Sequence, residues 1–278
     1  MIMNFRYLIY KIMRTNKLTR TNSVEFYLKK YLYVLDILKK EIENKLENLH
    51  SEHIWTMWLQ DEIPEICDVC IKRIKEVYPT ANVITERNLN QFLEIPNYIW
   101  EKYKNGTMLP CHFSDFVRVC LLDKYGGTWI DATCFLTMKI PKYITRSEFF
   151  VLKNQEMNGI SNYFLHSTTN NYLIKAIKIF LLEYWKKEET AINYFFFHYF
   201  LKLLIKNDKT AREIFDHTPI SLNLNTKLMA KVLYKDFDQD IFDWFMQTSY
   251  LHKLSYKKNE TIIISEKSLY TYIVKNYN

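Results

Sequence analysis

The sequence predicts an α/β domain built on a parallel sheet, and two stretches carry that prediction. Between His53 and Thr85 a buried strand-like run (His53–Leu59), an amphipathic helix (Pro64–Tyr78) and a second short strand (Asn82–Thr85) follow one another. This β-α-β alternation is what parallel strands require. Between Phe113 and Phe135 the order is helix, glycine pair and strand, and the strand runs into a carboxylate, Asp131. Open α/β sheets hold their ligands beyond the carboxyl ends of strands. Asp131 is therefore the residue around which a site is expected.

With 278 residues, 48% hydrophobic and 25% charged, the chain has the composition of a soluble globular protein and can bury a sizeable core. No run approaches the roughly 20 apolar residues of a membrane-spanning helix. The amino terminus has no small-residue cleavage site after its apolar patch, so a cytoplasmic protein is expected. The net charge of +7 suits an anionic partner, whether nucleotide phosphates or an acidic membrane. Nucleic acid is set aside, because no motif of a nucleic-acid-binding fold occurs. Five cysteines make an odd count. Cys67 and Cys70 form a C-x-x-C without the second pair that a zinc site needs. Buried, reduced thiols are expected.

In chain order, residues 1–50 form a first unit. Nine Lys or Arg stand against Glu25 and Asp36 up to Lys40. Phe5, Leu8 and Ile12, then Phe26, Tyr31, Val34, Leu38 and Ile42, recur at helical spacing, which predicts two amphipathic helices with a break near Thr19–Ser23. Such helices either pack on the following domain with a solvated basic face or lie on anionic lipid. In the Pro64–Tyr78 helix, Ile66, Cys70, Ile74 and Val77 form one face. Residues 88–112 are irregular or helical. The next helix opens at Phe113 or Ser114, buries Phe116, Val117, Cys120 and Leu121, and stops at Gly126 and Gly127. Asp115 and Arg118 are three apart and project from one side of it. Thr128–Ile130 is a strand. Further strands or helices are predicted over Phe149–Leu152, Tyr172–Lys186, Thr190–Ile205, Thr261–Ser265 and Lys267–Val274, with a turn at Gly159–Ser161. By itself Ser249–Lys257 reads as a surface loop.

The combination S-D-x-x-R followed by L-x-x-Y-G-G-x-W-x-D-A-T resembles the bacterial capsular-polysaccharide-synthesis glycosyltransferases. These are relatives of the D-x-D glycosyltransferases, among them the yeast-type mannosyltransferases and the clostridial glucosylating toxins. The resemblance is strongest over residues 53–141 and returns at His198 and at His252–Lys257. It implies a GT-A-like, Rossmann-related nucleotide-sugar-binding domain with helical additions, spanning residues 51–278 behind the basic segment 1–50. It further implies a retaining transferase that moves a hexose from a nucleotide diphosphate sugar to a surface polysaccharide or glycolipid. The alternative is a catalytically lapsed scaffold of a polysaccharide-assembly complex at the membrane.

By the same resemblance, Asp131 meets a phosphate-bound divalent ion (manganese or magnesium), His252 completes the metal shell and Lys253 holds the diphosphate. Asp115 and Arg118 contact the sugar and the ribose-phosphate side, and Gly126, Gly127 and Thr133 belong to the donor site. Trp55 stacks on the base. Read as residues alone, Trp55 is equally a core aromatic, Asp115–Arg118 an ordinary helix ion pair and His198 a hydrogen-bonded core histidine. One departure bears on the metal. Where the wider group has a second Asp, this chain has Thr133, a neutral and weaker ligand, which leaves metal dependence open.

Overall fold

The computed structural model describes residues 17–42, 47–154, 159–221, 224–257 and 263–278. The first predicted helix, through Phe5, Leu8 and Ile12, lies outside them, and so does part of the strand expected at Thr261–Ser265; residues 263–265 are not in a strand. Helix α1 (Lys17–Leu28) runs straight through the break expected at Thr19–Ser23. Thr, Asn and Ser cost a helix only a few tenths of a kcal/mol each, and the burial of Val24 and Leu28 outweighs that. The chain bends instead in the 3-10 turn Lys29–Tyr31 before α2 (Val34–Ile42).

The β-α-β alternation is found: β1 (Ile54–Met57), α3 (Glu65–Val77) and β2 (Asn82–Ile84), with β1 and β2 parallel and Trp55 opposite Asn82. Two short helices, α4 (Leu89–Phe92) and α5 (Asn97–Lys104), fill the next stretch. Helix α6 begins earlier than expected, at Pro110, and runs to Tyr125. Pro at the first helical position loses nothing by lacking an N–H and has the right φ already. Gly126 (φ 65°) ends the helix and Gly127 (φ 96°) opens β3 (Gly127–Ile130). There β3 comes hard against β1, with Thr128 N donating to His53 O at 2.7 Å. A Cβ on Gly127 would lie 2.2 Å from that same oxygen. The glycine pair is thus required by close backbone approach as well as by the turn.

β3 pairs in parallel with β1 and antiparallel with β6 (Gly159–Ser167), which pairs antiparallel with β5 (Phe149–Asn154). The sheet is therefore mixed, in the order β2-β1-β3-β6-β5. The expected turn at Gly159–Ser161 is the start of its longest strand. A second, two-stranded sheet joins β4 (Cys134–Leu136) to β7 (Leu251–Lys253), so Ser249–Lys257 is no mere loop. The remaining helices are α7 (Lys142–Thr145), α8 (Tyr172–Lys187), α9 (Phe196–Asn207), α10 (Lys209–His217), α11 (Leu224–Val232), α12 (Gln239–Thr248) and α13 (Leu269–Tyr277). Helix α9 starts six residues later than its aromatic periodicity predicts. Asn193 Oδ1 accepts from Phe195 N, and Ile192 N donates to the Tyr184 hydroxyl. Side-chain bonds of this kind compete with a first helical turn.

Alternate strand residues face two cores. Trp55, Trp129, Val151 and Leu165 meet α6, α8, α9 and the N-terminal helices, where Phe180 and Phe200 stack at 3.6 Å. Ile54, Ile130, Leu152 and Phe164 face the other way, while Cys67, Cys70 and Phe135 join a cluster with α12 and α13. All five cysteines are free, and four are buried; Cys111 is only partly so. No helix among the described residues is long and apolar enough to cross a membrane.

Candidate functional site

At the carboxyl ends of β1 and β3 the chain leaves an open cavity of about 690 Å³. Its floor comes from α6 and β3: Ser114, Arg118, Trp129, Asp131 and Thr133. One wall follows β1 (Trp58, Gln60), and the other follows β7 (Lys253, Tyr256, Lys257). Two short strands hold the walls together. Cys134 pairs with Lys253, and Leu254 N donates to Thr133 O at 2.8 Å.

Asp131 is the hub. Its Oδ1 accepts from Trp129 Nε1 (2.8 Å) and from Arg118 Nη2 (2.9 Å), while its Oδ2 accepts from Lys253 Nζ (2.7 Å). Lys253 Nζ also donates to Thr133 Oγ1. Burial opposes ionisation of Asp131, but the Lys253 and Arg118 charges outweigh it and hold the carboxyl below its usual range. The same pairing raises Lys253 against the lowering effect of burial. Arg118 is itself held from several sides, although its buried Nε has no hydrogen-bond partner among the described residues. It donates to Asn162 O (2.7 Å) and Ser114 Oγ (3.2 Å), pairs with Asp115 (3.1 Å) and lies over the Trp129 ring, 5.0 Å from its centre.

Asp115 sits behind Arg118, buried, accepting from Asn162 Nδ2 (2.8 Å), and does not line the cavity. Burial pushes its carboxyl up to about 7, Arg118 pulls the other way and Asp131 adds to the rise. Asp115 therefore keeps its proton in the fold at a pH where the unfolded chain has lost it. Its share of stability declines as pH rises from about 4 to 7, the reverse of Asp131, whose stabilising share disappears in acid. One consequence is a pH-dependent anion site. As Asp115 ionises it takes up part of the Arg118 charge. Affinity for an anion whose own charge does not titrate near neutrality should then fall several-fold between about pH 6 and 8. Asp115→Asn should flatten that profile in a calorimetric titration, and a profile unchanged by the substitution would contradict it.

Three sequence expectations are relocated, and His198 keeps the core position expected of it, though its Nδ1 has no hydrogen-bond partner among the described residues. Trp55 is a core aromatic: it is buried, donates from Nε1 to Gly126 O (2.9 Å) and packs against Phe92 and Tyr125. It belongs to the strand itself, whereas the cavity opens beyond the strand end at Trp58. Gly126 and Gly127 mark the amino end of β3, away from Asp131. His252 neighbours Lys253 on β7, and strand alternation turns it to the opposite face. It is fully buried, with Nε2 2.9 Å from Phe245 O and Nδ1 3.2 Å from Asn225 O. His198 lies between the Phe195 and Phe197 rings, kept neutral by burial and the Arg118 charge, and does not line the cavity.

Trp58, Glu62, Tyr103, Tyr194 and Tyr256 are among the cavity residues that pattern reading did not single out. For Trp58 the available signal was the strand-end rule already applied to Asp131. Tyr256 meets Trp58 edge-on, ring centres 5.4 Å apart. A second cavity, lined by Ile42, Glu148, Tyr172, Lys175 and Ile214 among others, lies toward the opposite end of β3.

The donor set does not suit a divalent ion. Both oxygens of Asp131 are committed to cationic or indole donors, Thr133 is neutral and His252 faces away. Among the described residues no group of three or more His, Cys, Asp or Glu could hold a metal. Magnesium is usually held by one or two carboxylates with waters and substrate phosphates. Here Asp131 is already engaged by three donors, while Glu62 is the other carboxylate among the described residues that line the cavity.

Three comparisons bear on this arrangement. Residues 6–273 match the family model described as "Capsular polysaccharide synthesis protein". No curated protein matches the chain significantly. Among solved structures the chain is similar to one described as "PaToxG Glycosyltransferase", at 12% identity, with 71% of this chain and 83% of that chain covered and a TM-score of 0.38.

Proposed function

The chain belongs to the capsular polysaccharide synthesis protein family, and from that premise we propose that it is a GT-A-like glycosyltransferase. In this reading it moves a hexose from a nucleotide diphosphate sugar to a surface polysaccharide or glycolipid, with retention at the anomeric carbon. The observation that carries the proposal is the cavity beyond β1 and β3, where one ionised carboxylate is flanked by two cations, Arg118 and Lys253. Lys257 lines the cavity beside this pair, with Glu62 on the opposite wall. Such a pair of cations favours a diphosphate, and more so as the leaving oxygen gains charge in the transition state.

In the transfer, the bond between the anomeric carbon and the diphosphate oxygen breaks, and its electron pair stays on the diphosphate. The acceptor hydroxyl oxygen bonds the carbon, and its proton passes to the departing oxygen. Arg118 is held by Asp131, Ser114 and the Asn162 carbonyl, so it needs no reorganisation during the step. The test is release of nucleoside diphosphate from a panel of nucleotide sugars, first with water and then with an oligosaccharide acceptor. No release from any donor by folded protein would sink the proposal.

The base is assigned to Trp58 and Tyr256, two rings that line the cavity and meet edge-on. Stacking on an aromatic side chain contributes about 1–3 kcal/mol per base, so Trp58→Ala should weaken donor binding by roughly ten- to a hundredfold. Trp55→Phe should lower the melting temperature and leave donor affinity alone. The opposite pattern in paired titrations would return the base to Trp55.

Contact with the membrane is the second part of the proposal. Helices α1 and α2 pack inward through Val24, Leu28, Val34 and Leu38; Phe26, Lys29, Lys30, Lys39 and Lys40 point outward on and between them, with Lys30 paired to Glu188 and Lys39 to Asp36. A basic face of this kind is drawn to anionic lipid at the inner surface of a cell. Co-sedimentation with vesicles should rise with phosphatidylserine content and fall with salt; equal sedimentation with neutral vesicles would count against it.

A further inference from the structure

We propose that Lys253 stands where a divalent cation would otherwise be needed, so that the site binds the donor diphosphate without a metal ion. This rests on reading the cavity as a nucleotide-sugar site. The Lys253 ammonium lies 2.7 Å from Asp131 Oδ2 and also donates to Thr133 Oγ1. Those two contacts use two of its three N–H bonds. The side chain lines the cavity and is 24% exposed, with the ammonium also 5.2 Å from the centre of the Tyr163 ring.

Its position is fixed from both sides. The β4–β7 ladder sets Cys134 opposite Lys253, and the next residue's N–H is tied to Thr133 O. A lysine so anchored loses little side-chain entropy on meeting a phosphate, the usual penalty for using so flexible a cation.

The replacement of a second carboxylate by Thr133 then has a physical reason. An Asp at that position would pair with the ammonium and cancel its charge. A hydroxyl orients the same ammonium and leaves its charge for the ligand. Arg118 takes the other oxygen of Asp131 and pairs with Asp115 behind it, so Asp131 is shared between two cations. Asp131 is, in this account, a positioning residue for both.

The experiment uses the full chain and inorganic pyrophosphate as the probe, titrated calorimetrically in excess EDTA and again with manganese. Affinity in EDTA should match that with manganese within about threefold. Lys253→Met should lose at least tenfold in EDTA, since it removes a charge-assisted contact, and Lys253→Arg should retain most of the binding. Thr133→Asp keeps the lysine but neutralises it, and should lose binding in EDTA as well. Binding that requires manganese overturns the proposal, and so does unchanged affinity in both Lys253→Met and Thr133→Asp. Turnover of a nucleotide sugar only with manganese would overturn it and leave the glycosyltransferase reading intact. Metal-free, Lys253-dependent pyrophosphate binding without turnover of any nucleotide sugar would do the reverse.

Discussion

Asp131→Asn is expected to cut turnover of a nucleotide sugar by about a hundredfold and to destabilise the fold by about 2 kcal/mol. The reason is directional. Asp131 offers two acceptor oxygens to three donors, Trp129, Arg118 and Lys253. An amide offers one. Whichever way the Asn turns, its NH2 faces a donor. If the oxygen keeps Trp129 and Arg118, the ammonium of Lys253 is left against N–H and swings out of register with the cavity. Thr133→Ala removes only the second anchor of Lys253 and should cost several-fold in turnover, with little change in stability. Turnover and urea unfolding of the two variants, measured together, check this. Near-normal turnover by Asp131→Asn would remove the hub from the mechanism.

Gly127→Ala is expected to be the most destabilising single change, costing about 3 kcal/mol or more, since backbone strain and overpacking combine. The new Cβ would meet His53 O at 2.2 Å in a backbone conformation that L-residues rarely adopt. The carbonyl cannot step aside, because it holds the bond that joins β1 to β3. Gly126→Ala meets Thr169 N at 3.0 Å and Ser167 O at 3.1 Å, and should cost less. Gly106, with a similar φ of 77° and nothing within 4 Å, gives the strain term alone, about 1 kcal/mol. Chemical denaturation of the three variants should rank them in that order. Since the pair lies at the amino end of β3, Gly126→Ala should also leave donor affinity unchanged.

These contrasts mark what the sequence could and could not reveal. The parallel half of the sheet was legible because β1, α3, β2 and the body of α6 each carry their own periodicity and punctuation, whereas residues 88–112, which hold α4, α5 and the start of α6, do not. The antiparallel half was less so, since β6 opens on a glycine that reads as a turn and its pairing with β3 is long-range. Asp131 and Thr133 could be placed at a strand end from local pattern. That Lys253 would reach them across 122 and 120 residues depends on the β4–β7 pairing, for which three-residue strands leave almost no signal. Trp55 and Trp58 differ by three positions in one run, and only the point where β1 stops decides which is core and which borders the cavity. His252 and Lys253 separate for a simpler reason: neighbours on a strand face opposite ways.

The most direct test of the account is a crystal structure of the full chain soaked with a nucleotide sugar that the protein turns over. The diphosphate should lie against Lys253 and Arg118, with the base beside Trp58 and Tyr256 and Trp55 untouched in the core. Density for the donor in the second cavity, near Tyr172 and Lys175, or a diphosphate with no contact to Lys253, would contradict it.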